Sequence, residues 1–278
     1  MRTPREAGYL RDLFSRNART YDPVNSLISL GQVNRWRAAL LRLAGIGPRD
    51  LVLDAFCGPG SLGLPALRSL SAGGHLLLAD VSPVMLAEAR RRLRSILGRT
   101  PNGRGRPRVD FRVVDLVQTQ LHATPQEKAA ALLSTLSPGG SRAGFDCVLV
   151  GFGLRYLPDP ALTLSTLGSL LHPGGHIGIL EFTVPENRGL SRAVWALPRL
   201  YFSRVLPALA GHLAGDREIY EYLRVSSEEF LTPAGLLELV RSSGLQPLLS
   251  TTRMGGLVSI IVATPDLLLT CHPRRPLG

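Results

Sequence analysis

Short apolar runs alternate with amphipathic stretches from about residue 51 to residue 263, which predicts a parallel sheet with helices on both faces. The last two runs are joined by Met254-Gly255-Gly256 and predict a hairpin-like pair at the end of the sheet. We therefore predict an α/β fold, a doubly wound, seven-stranded and mostly parallel sheet. The predicted strands are Leu51–Phe56, His75–Asp80, Val109–Val114, Phe145–Phe152, His176–Phe182, Gln246–Thr252 and Leu257–Ala263.

Helical stretches fill the intervals between these strands. Ser82 is a predicted N-cap, with Pro83 in the first turn of the helix that follows. Further helices are predicted from the turn after the first strand to about Ser71, at 125–136, at Asp159–Leu171 and at Pro233–Ser243.

Four segments stand outside the alternation. Residues 1–45 predict an N-terminal helical arm, and 46–264 form the main domain. Within it, 117–143 has the composition of a surface insertion, and 186–230 is a mostly helical insertion before the last strands that is rich in aromatic residues and arginine. The tail 265–278 is expected to fray.

The composition excludes some classes and leaves others open. An apolar content of 45% argues against extended disorder, and no apolar run reaches the ~18 residues of a membrane-spanning helix. Lysine and arginine total 32 against 21 acidic residues, a net charge of +11, with Lys128 the sole lysine. Such a charge favours nucleic acid or phospholipid headgroups as partners. Arginine-rich codon usage explains the same numbers equally well.

The cysteines and the first residues bear on location. Cys57, Cys147 and Cys271 lie far apart and make neither a zinc motif nor a disulfide framework. Arginines interrupt every apolar run within residues 1–20, so no secretory signal peptide is expected. We therefore expect a reducing, cytoplasmic compartment.

A glycine-rich loop follows the first strand and is the clearest chemical signal. The glycines of Cys57-Gly58-Pro59-Gly60 allow close backbone approach to a ligand, and Asp80 ends the next strand, where a carboxylate can accept both hydroxyls of a ribose. Gly58, Gly60 and Gly63 also fit the dinucleotide fingerprint. The loop alone therefore leaves an NAD(P)-dependent oxidoreductase and a methyltransferase nearly level, with an ordinary tight turn as a third reading.

Later motifs separate these readings. An acidic residue, Asp115, follows the third strand, and the fourth strand ends in Gly151-Phe152-Gly153-Leu154-Arg155. With these residues the chain resembles the UbiE/MenG quinone C-methyltransferases, which are class I S-adenosylmethionine-dependent enzymes with a Rossmann-like sheet. The resemblance extends from about residue 10 to residue 263. Its motifs are Leu13-Phe14 to Tyr21-Asp22, Asn25, Ser29-Leu30-Gly31, Val52-Leu53-Asp54, Cys57-Gly58, Gly60, Gly151 to Arg155, Pro158-Asp159, Leu180-Glu181-Phe182, Val205-Leu206-Pro207, Gly215-Asp216, Tyr220, Tyr222-Leu223 and Gly255-Gly256.

The resemblance implies S-adenosylmethionine as cofactor and a reduced, isoprenoid-tailed quinone as substrate. Pro59 departs from the usual threonine, and Tyr156 from the usual asparagine; the long 116–144 segment weakens the assignment of Asp115 and Leu116. The implied cofactor-binding residues are Asp54, Gly58, Pro59, Gly60, Asp80, Asp115, Leu116 and Gly151. The implied substrate residues are Tyr21, Asn25, Tyr201, Asp216 and Tyr220.

Arg155 is the predicted catalytic residue. A ring carbon becomes nucleophilic when the neighbouring phenol loses its proton, and a guanidinium favours the phenolate. Arginine does not itself serve as the base. Water, Asp216, Glu181 or a tyrosinate remain candidates for that role, and an ordinary structural ion pair of Arg155 is the alternative reading.

The remaining expectations concern partners. Segment 186–230 is predicted to be an apolar cover that admits a lipid tail and places the enzyme at the inner face of the cell membrane, or else an amphipathic pair packed on the sheet. No metal is assigned, because Pro-Gly-Gly separates His172 from His176. Demethylmenaquinol is the favoured substrate, with ubiquinone- or phylloquinone-pathway quinols and other small aromatics as alternatives. A nucleic-acid-binding protein using loop 98–108 is disfavoured, and association into a homodimer is left open.

Overall fold

A seven-stranded sheet forms the centre of the protein. The computed structural model describes residues 7–98, 105–117, 124–136, 144–186 and 216–266. The strand order is β3-β2-β1-β4-β5-β7-β6. The strands are β1 (Leu51–Ala55), β2 (His75–Asp80), β3 (Arg108–Val113), β4 (Phe145–Gly151), β5 (Leu171–Phe182), β6 (Leu245–Arg253) and β7 (Val258–Pro265).

The pairing confirms the predicted mostly parallel sheet. β1 lies between β2 and β4 and is parallel to both, whereas β7 is antiparallel to β5 and to β6. Every residue of β1 is buried, as expected for a strand covered on both faces. Met254, Gly255 and Gly256 all have positive φ, which closes the predicted hairpin.

Two boundaries differ from the prediction. β5 begins at Leu171 rather than at His176, because Leu171 pairs with Phe145 before a register shift in the ladder. The helix after the glycine loop was predicted to reach about Ser71, but its α-helical part ends at Ala66. The next amides make tighter bonds to the third preceding residue, beginning with Leu67 N to Leu64 O at 3.2 Å.

The helices cover both faces of the sheet. Ser82 caps its helix as predicted, accepting a hydrogen bond from Met85 N at 3.2 Å. The helices are α1 (Ala7–Arg16), α2 (Tyr21–Ile28), α3 (Gln32–Ala44), α4 (Gly63–Ala66), α5 (Pro83–Leu97), α6 (Pro125–Leu136), α7 (Pro160–Ser169), α8 (Arg217–Glu228) and α9 (Pro233–Ser242), with a 3-10 helix at Leu154–Tyr156.

The segment predicted as a surface insertion contributes to the core. Ala129 and Leu132 on α6 are each only 2% exposed and pack in the same apolar cluster as Leu164 and Leu167 of α7. The expectation of a surface position is therefore wrong for the inner face of α6, which apolar side chains at helical spacing bury. The rest of the segment, 118–123 and 137–143, lies outside the described residues.

The N-terminal arm packs against the cover segment. Leu13 of α1 and Val24 of α2 join Ile219, Tyr220 and Tyr222 of α8 in a separate apolar cluster. The helix α8 lies within the predicted cover, whose residues 187–215 are outside the described part of the chain. Among the described helices, none combines the length and the hydropathy that crossing a membrane requires.

Candidate active site

The glycine loop leaves β1 in a conformation that exposes its backbone. Phe56, Gly58 and Gly60 all have positive φ, at 57°, 53° and 77°. Cys57 N donates to Ala79 O of β2 at 3.0 Å, which ties the loop to the neighbouring strand. A Cβ placed on Gly58 would meet no atom within 4 Å. The backbone at Gly58 therefore borders open space, as close approach of a ligand requires.

The other two glycines make room for the protein itself. A Cβ on Gly60 would lie 2.9 Å from the side chain of Leu64, and one on Gly63 would lie 2.5 Å from Asp54 Oδ2. Asp54 is buried and accepts a hydrogen bond from Gly63 N at 2.8 Å. Burial raises the pKa of Asp54 to about 7, although the bond from Gly63 acts in the opposite direction. Asp54 therefore braces the loop, and its predicted contact with the cofactor stays a prediction.

Asp80 connects the loop to the start of α5. Its two carboxylate oxygens accept from Gly58 N and from Ser82 N, each at 2.8 Å. Burial raises its pKa, against the lowering effect of these amides. The Val81 amide acts on the same carboxylate, and because a carboxylate has about four acceptor positions, acceptor capacity remains for a ligand hydroxyl. Asp80 is not the N-cap of α5, because Ser82 holds that position.

The remaining predicted cofactor-binding residues border less open space than Gly58 does. The Asp115 carboxylate accepts from Val117 N at 2.9 Å, while the Leu116 side chain is buried in the core. A Cβ on Gly151 would lie 2.9 Å from Leu62, so that space is filled from within. Pro59 is also buried. Direct cofactor contacts by Pro59, Leu116 and Gly151 would involve mainly their backbone atoms, and the contacts of all four residues stay predictions.

Arg155 lies in the 3-10 helix after β4 and forms a buried ion pair. Its side chain is 1% exposed, and that of Glu181 at the end of β5 is 0% exposed. Its Nη1 donates to Glu181 Oε1 and to Phe152 O, and its Nη2 donates to the Tyr156 hydroxyl. The ion pair of the alternative hypothesis for Arg155 is thus observed. Arg155 Nε still has no hydrogen-bond partner among the described residues.

Aromatic rings surround this guanidinium. Its carbon lies 4.3 Å from the ring centre of Tyr156 and 5.2 Å from that of Phe182. Burial by itself would lower the pKa of Arg155, but Tyr156 and Glu181 raise it above its usual range. For Tyr21, burial raises the pKa of the phenol, despite the opposing effect of Arg155. The site therefore combines a permanent cation with phenols that stay protonated at neutral pH.

Glu181 is fully engaged in holding this arrangement. It accepts from the amides of Leu154 at 2.9 Å, Arg155 at 3.4 Å and Phe182 at 2.8 Å. These bonds and the ion pair occupy its oxygens, which makes Glu181 unsuited to the role of base. Asp216 is similarly occupied: it caps α8 through Glu218 N and accepts from Asn17 Nδ2 at 2.7 Å.

The predicted substrate residues fall into two groups. Tyr21 and Asn25 lie one turn apart on α2, and the Tyr21 ring contacts Phe14 edge-on at 5.6 Å. Tyr220 is buried beside them, and its hydroxyl has no hydrogen-bond partner among the described residues. Asp216 also lies 4.0 Å from Arg16 Nε, and together with the contacts given above this supports a structural role. Tyr201 lies outside the described residues.

Sequence reasoning missed two rings at the site. Tyr156 stacks on Tyr222 at 5.6 Å and meets Phe14 edge-on at 5.2 Å, which joins the 3-10 helix to α8 and to the arm. Tyr156 drew attention only as a departure from the family pattern. Within the described ranges, no group of three or more His, Cys, Asp or Glu side chains is placed to hold a metal ion.

Comparisons with known proteins cover nearly the whole chain. The family model described as the ubiE/COQ5 methyltransferase family matches residues 2–124 and 126–264. A demethylmenaquinone methyltransferase of Thermus thermophilus is 33% identical over 232 residues, which is 84% of this chain and 90% of the relative. The ubiquinone/menaquinone biosynthesis C-methyltransferase UbiE of Methylobacterium nodulans is 32% identical over 259 residues, 91% and 89% of the two chains.

Solved structures agree on the fold. Magnesium protoporphyrin IX methyltransferase from Synechocystis, crystallised with bound SAH, aligns with a TM-score of 0.54 at 18% identity, covering 93% of this chain and 98% of that one. The likeness concerns the fold, a seven-stranded sheet with flanking helices.

Proposed function

The chain belongs to the ubiE/COQ5 methyltransferase family, and we propose on this basis that it transfers the methyl group of S-adenosylmethionine to a ring carbon of a reduced, prenylated quinone. It is an S-adenosylmethionine-dependent methyltransferase. Demethylmenaquinol is the specific acceptor that we propose, because proteins named demethylmenaquinone methyltransferase are among the most similar relatives. Quinols of the ubiquinone or phylloquinone pathways are the second choice, since UbiE relatives are nearly as similar.

The described residues fit the methyl donor, S-adenosylmethionine. The glycine loop borders open space at Gly58, and the Asp80 carboxylate beside it keeps acceptor capacity. We expect Asp80 to receive the ribose hydroxyls, with Gly58, Pro59 and Gly60 contributing backbone contacts. When bound, S-adenosylmethionine supplies an activated methyl group for displacement.

The acceptor site is proposed beside Arg155. Gly153, which begins the 3-10 helix of Arg155, is packed so closely that an added Cβ would lie 3.3 Å from Phe56 of the glycine loop. The two regions are therefore adjacent. A quinol oxygen that reaches the buried, unpartnered Nε of Arg155 would meet a fixed cation, which favours the phenolate and so activates the ring carbon.

The observation that carries this assignment is the buried Arg155, whose Nε has no hydrogen-bond partner among the described residues. Because Glu181 and Asp216 are occupied and the phenols of Tyr21 and Tyr156 have raised pKa values, we propose water as the acceptor of the quinol proton. The protein then serves chiefly to align the reactants and stabilise charge.

The test combines purified protein, methyl-labelled S-adenosylmethionine and demethylmenaquinone analogues of several tail lengths. We expect label on the ring carbon of the reduced analogues only, since the oxidised ring has no phenol to ionise. Demethylated ubiquinone precursors serve as competing acceptors and decide the pathway. No ring methylation of any reduced quinone, with S-adenosylhomocysteine bound normally, would refute the acceptor class.

We also propose contact with an anionic phospholipid surface in the cytoplasm. Leu27 and Leu30, at the turn between α2 and α3, are 60% and 77% exposed, and the exposed Arg35 lies close by in sequence. Exposed leucines beside a cation suit a lipid interface. Leu27→Glu with Leu30→Glu should abolish flotation with phosphatidylglycerol vesicles, whereas Leu248→Glu, at a 62% exposed leucine on β6, should not. Equal flotation of both variants would contradict the proposal.

Whether the protein forms a homodimer is a separate question, which sedimentation of the free protein tests.

A further inference from the structure

The N-terminal arm touches both loops of the proposed cofactor site. On one side, the hydroxyls of Ser15 in α1 and Ser82 lie 2.7 Å apart, and Ser82 N is the amide that binds Asp80. On the other side, the Asp22 carboxylate accepts a hydrogen bond from the hydroxyl of Ser61, the residue after Gly60. The arm therefore spans the crevice between the two loops.

Asp22 is held in place by a buried cluster of charges. Its Oδ1 accepts from Arg37 Nη2 of α3 at 2.9 Å, and its Oδ2 pairs with Arg92 Nη1 of α5. Arg92 also binds Glu88 at 3.0 Å and donates to Ser61 Oγ at 3.3 Å. Burial by itself would raise the pKa of Asp22, but the two arginines outweigh it and hold the pKa below its usual range. Asp22 is thus a fixed anion at neutral pH.

One carboxylate consequently joins three elements to the glycine loop. We propose that Asp22 is a positioning residue for that loop: by holding Ser61 it fixes the backbone of Gly58 to Gly60 in the conformation that receives the cofactor. This inference rests on the proposed function, because it assigns the loop to S-adenosylmethionine.

Asp22 differs in this respect from Glu88, the other carboxylate of the cluster. Glu88 belongs to the same ion cluster, is 4% exposed, and contacts Arg91 and Arg92. Its described hydrogen bonds include none to the loop or the arm. A purely structural role predicts similar consequences for the loss of either carboxylate, whereas a positioning role predicts a loop effect for Asp22 only.

The experiment uses four variants of the full chain. Asp22→Asn removes the charge, Ser61→Ala removes the hydroxyl but keeps the ion cluster, and the double variant completes a cycle. Glu88→Gln is the matched control. For each we would measure the Kd of S-adenosylhomocysteine by calorimetry, the thermal midpoint, and hydrogen exchange at the amides of Gly58 and Gly60 without ligand.

The expected results separate the two roles. A hydrogen bond to a charged group corresponds to about tenfold or more in affinity, so Asp22→Asn and Ser61→Ala should each weaken binding by about that factor. Because both substitutions act on the shared Asp22–Ser61 hydrogen bond, the double variant should be little weaker than either single. Both should speed exchange at the loop, while Glu88→Gln should lower the thermal midpoint with Kd and loop exchange near those of the wild type.

Two outcomes would overturn the inference: equal effects of Asp22→Asn and Glu88→Gln on Kd and loop exchange, or fully additive effects in the cycle. Failure of the wild type to bind S-adenosylhomocysteine would instead refute the proposed function. The ligand-free exchange data would still decide whether Asp22 holds the loop.

Discussion

Replacing Glu181 by Gln tests whether the buried ion pair serves stability, catalysis or both. The substitution keeps the size of the side chain but removes its charge. It leaves the Arg155 guanidinium at 1% exposure without its counter-ion. The glutamine also loses acceptor capacity, because its NH2 group must face either the amides of Leu154 and Arg155 or that of Phe182.

The expected cost follows from these contacts. Breaking a buried pair by removing one partner costs about 3–5 kcal/mol, because the remaining charge is uncompensated. At about 2–4 °C per kcal/mol for a chain of this size, the thermal midpoint should fall by roughly 10 °C. By contrast, Glu218→Gln removes an exposed partner of Arg16, at 2.7 Å, and should cost less than about 1 kcal/mol.

The double variant Arg155→Met with Glu181→Gln separates the two roles. It removes both charges, so scanning calorimetry should show a midpoint closer to the wild type than that of Glu181→Gln alone. Ring methylation should be absent in the double variant, because no cation remains for the phenolate. A fall in the thermal midpoint of less than about 2 °C for Glu181→Gln would refute this reasoning. Measurable ring methylation by the double variant would also refute it.

Three further predictions concern the loop. Asp80→Ala should weaken S-adenosylhomocysteine binding about 100-fold in calorimetry, since two charged hydrogen bonds are lost; Asp110→Ala on β3 is the control, and equal affinity in the Asp80 variant would contradict the pocket. The raised pKa of Asp54 means that its contribution to stability is complete below about pH 3.8 and is lost as the pH rises through about 7. Urea midpoints at pH 5 and pH 8 should therefore differ less in Asp54→Asn than in the wild type, and identical differences would argue against this pKa. Gly60→Ala should cost about 1–3 kcal/mol in urea unfolding, because its φ of 77° is strained for alanine and its Cβ would lie 2.9 Å from Leu64; an unchanged midpoint would exclude that strain.

The course of the backbone and the position of the glycine loop could be predicted from the sequence. Buried parallel strands such as β1 are apolar along their length, and Ser82 with Pro83 marks the start of α5. The glycines of the loop mark positions where a side chain would be strained or would collide, so Gly58 and Gly60 could be placed by type and spacing alone. These signals are local, and each is carried by residues close together in the chain.

The partners of the charged side chains were decided only by the tertiary structure. Glu181 reaches Arg155 across 26 positions, Asp216 reaches Asn17 across 199, and Asp22 reaches Ser61 across 39. Hydrophobic periodicity shows which face of an element is buried, but not which loop ends meet above the sheet. A carboxylate therefore looks the same in sequence whether it is a base, a helix cap or a counter-ion, because its role depends on the donors that folding brings within about 3 Å.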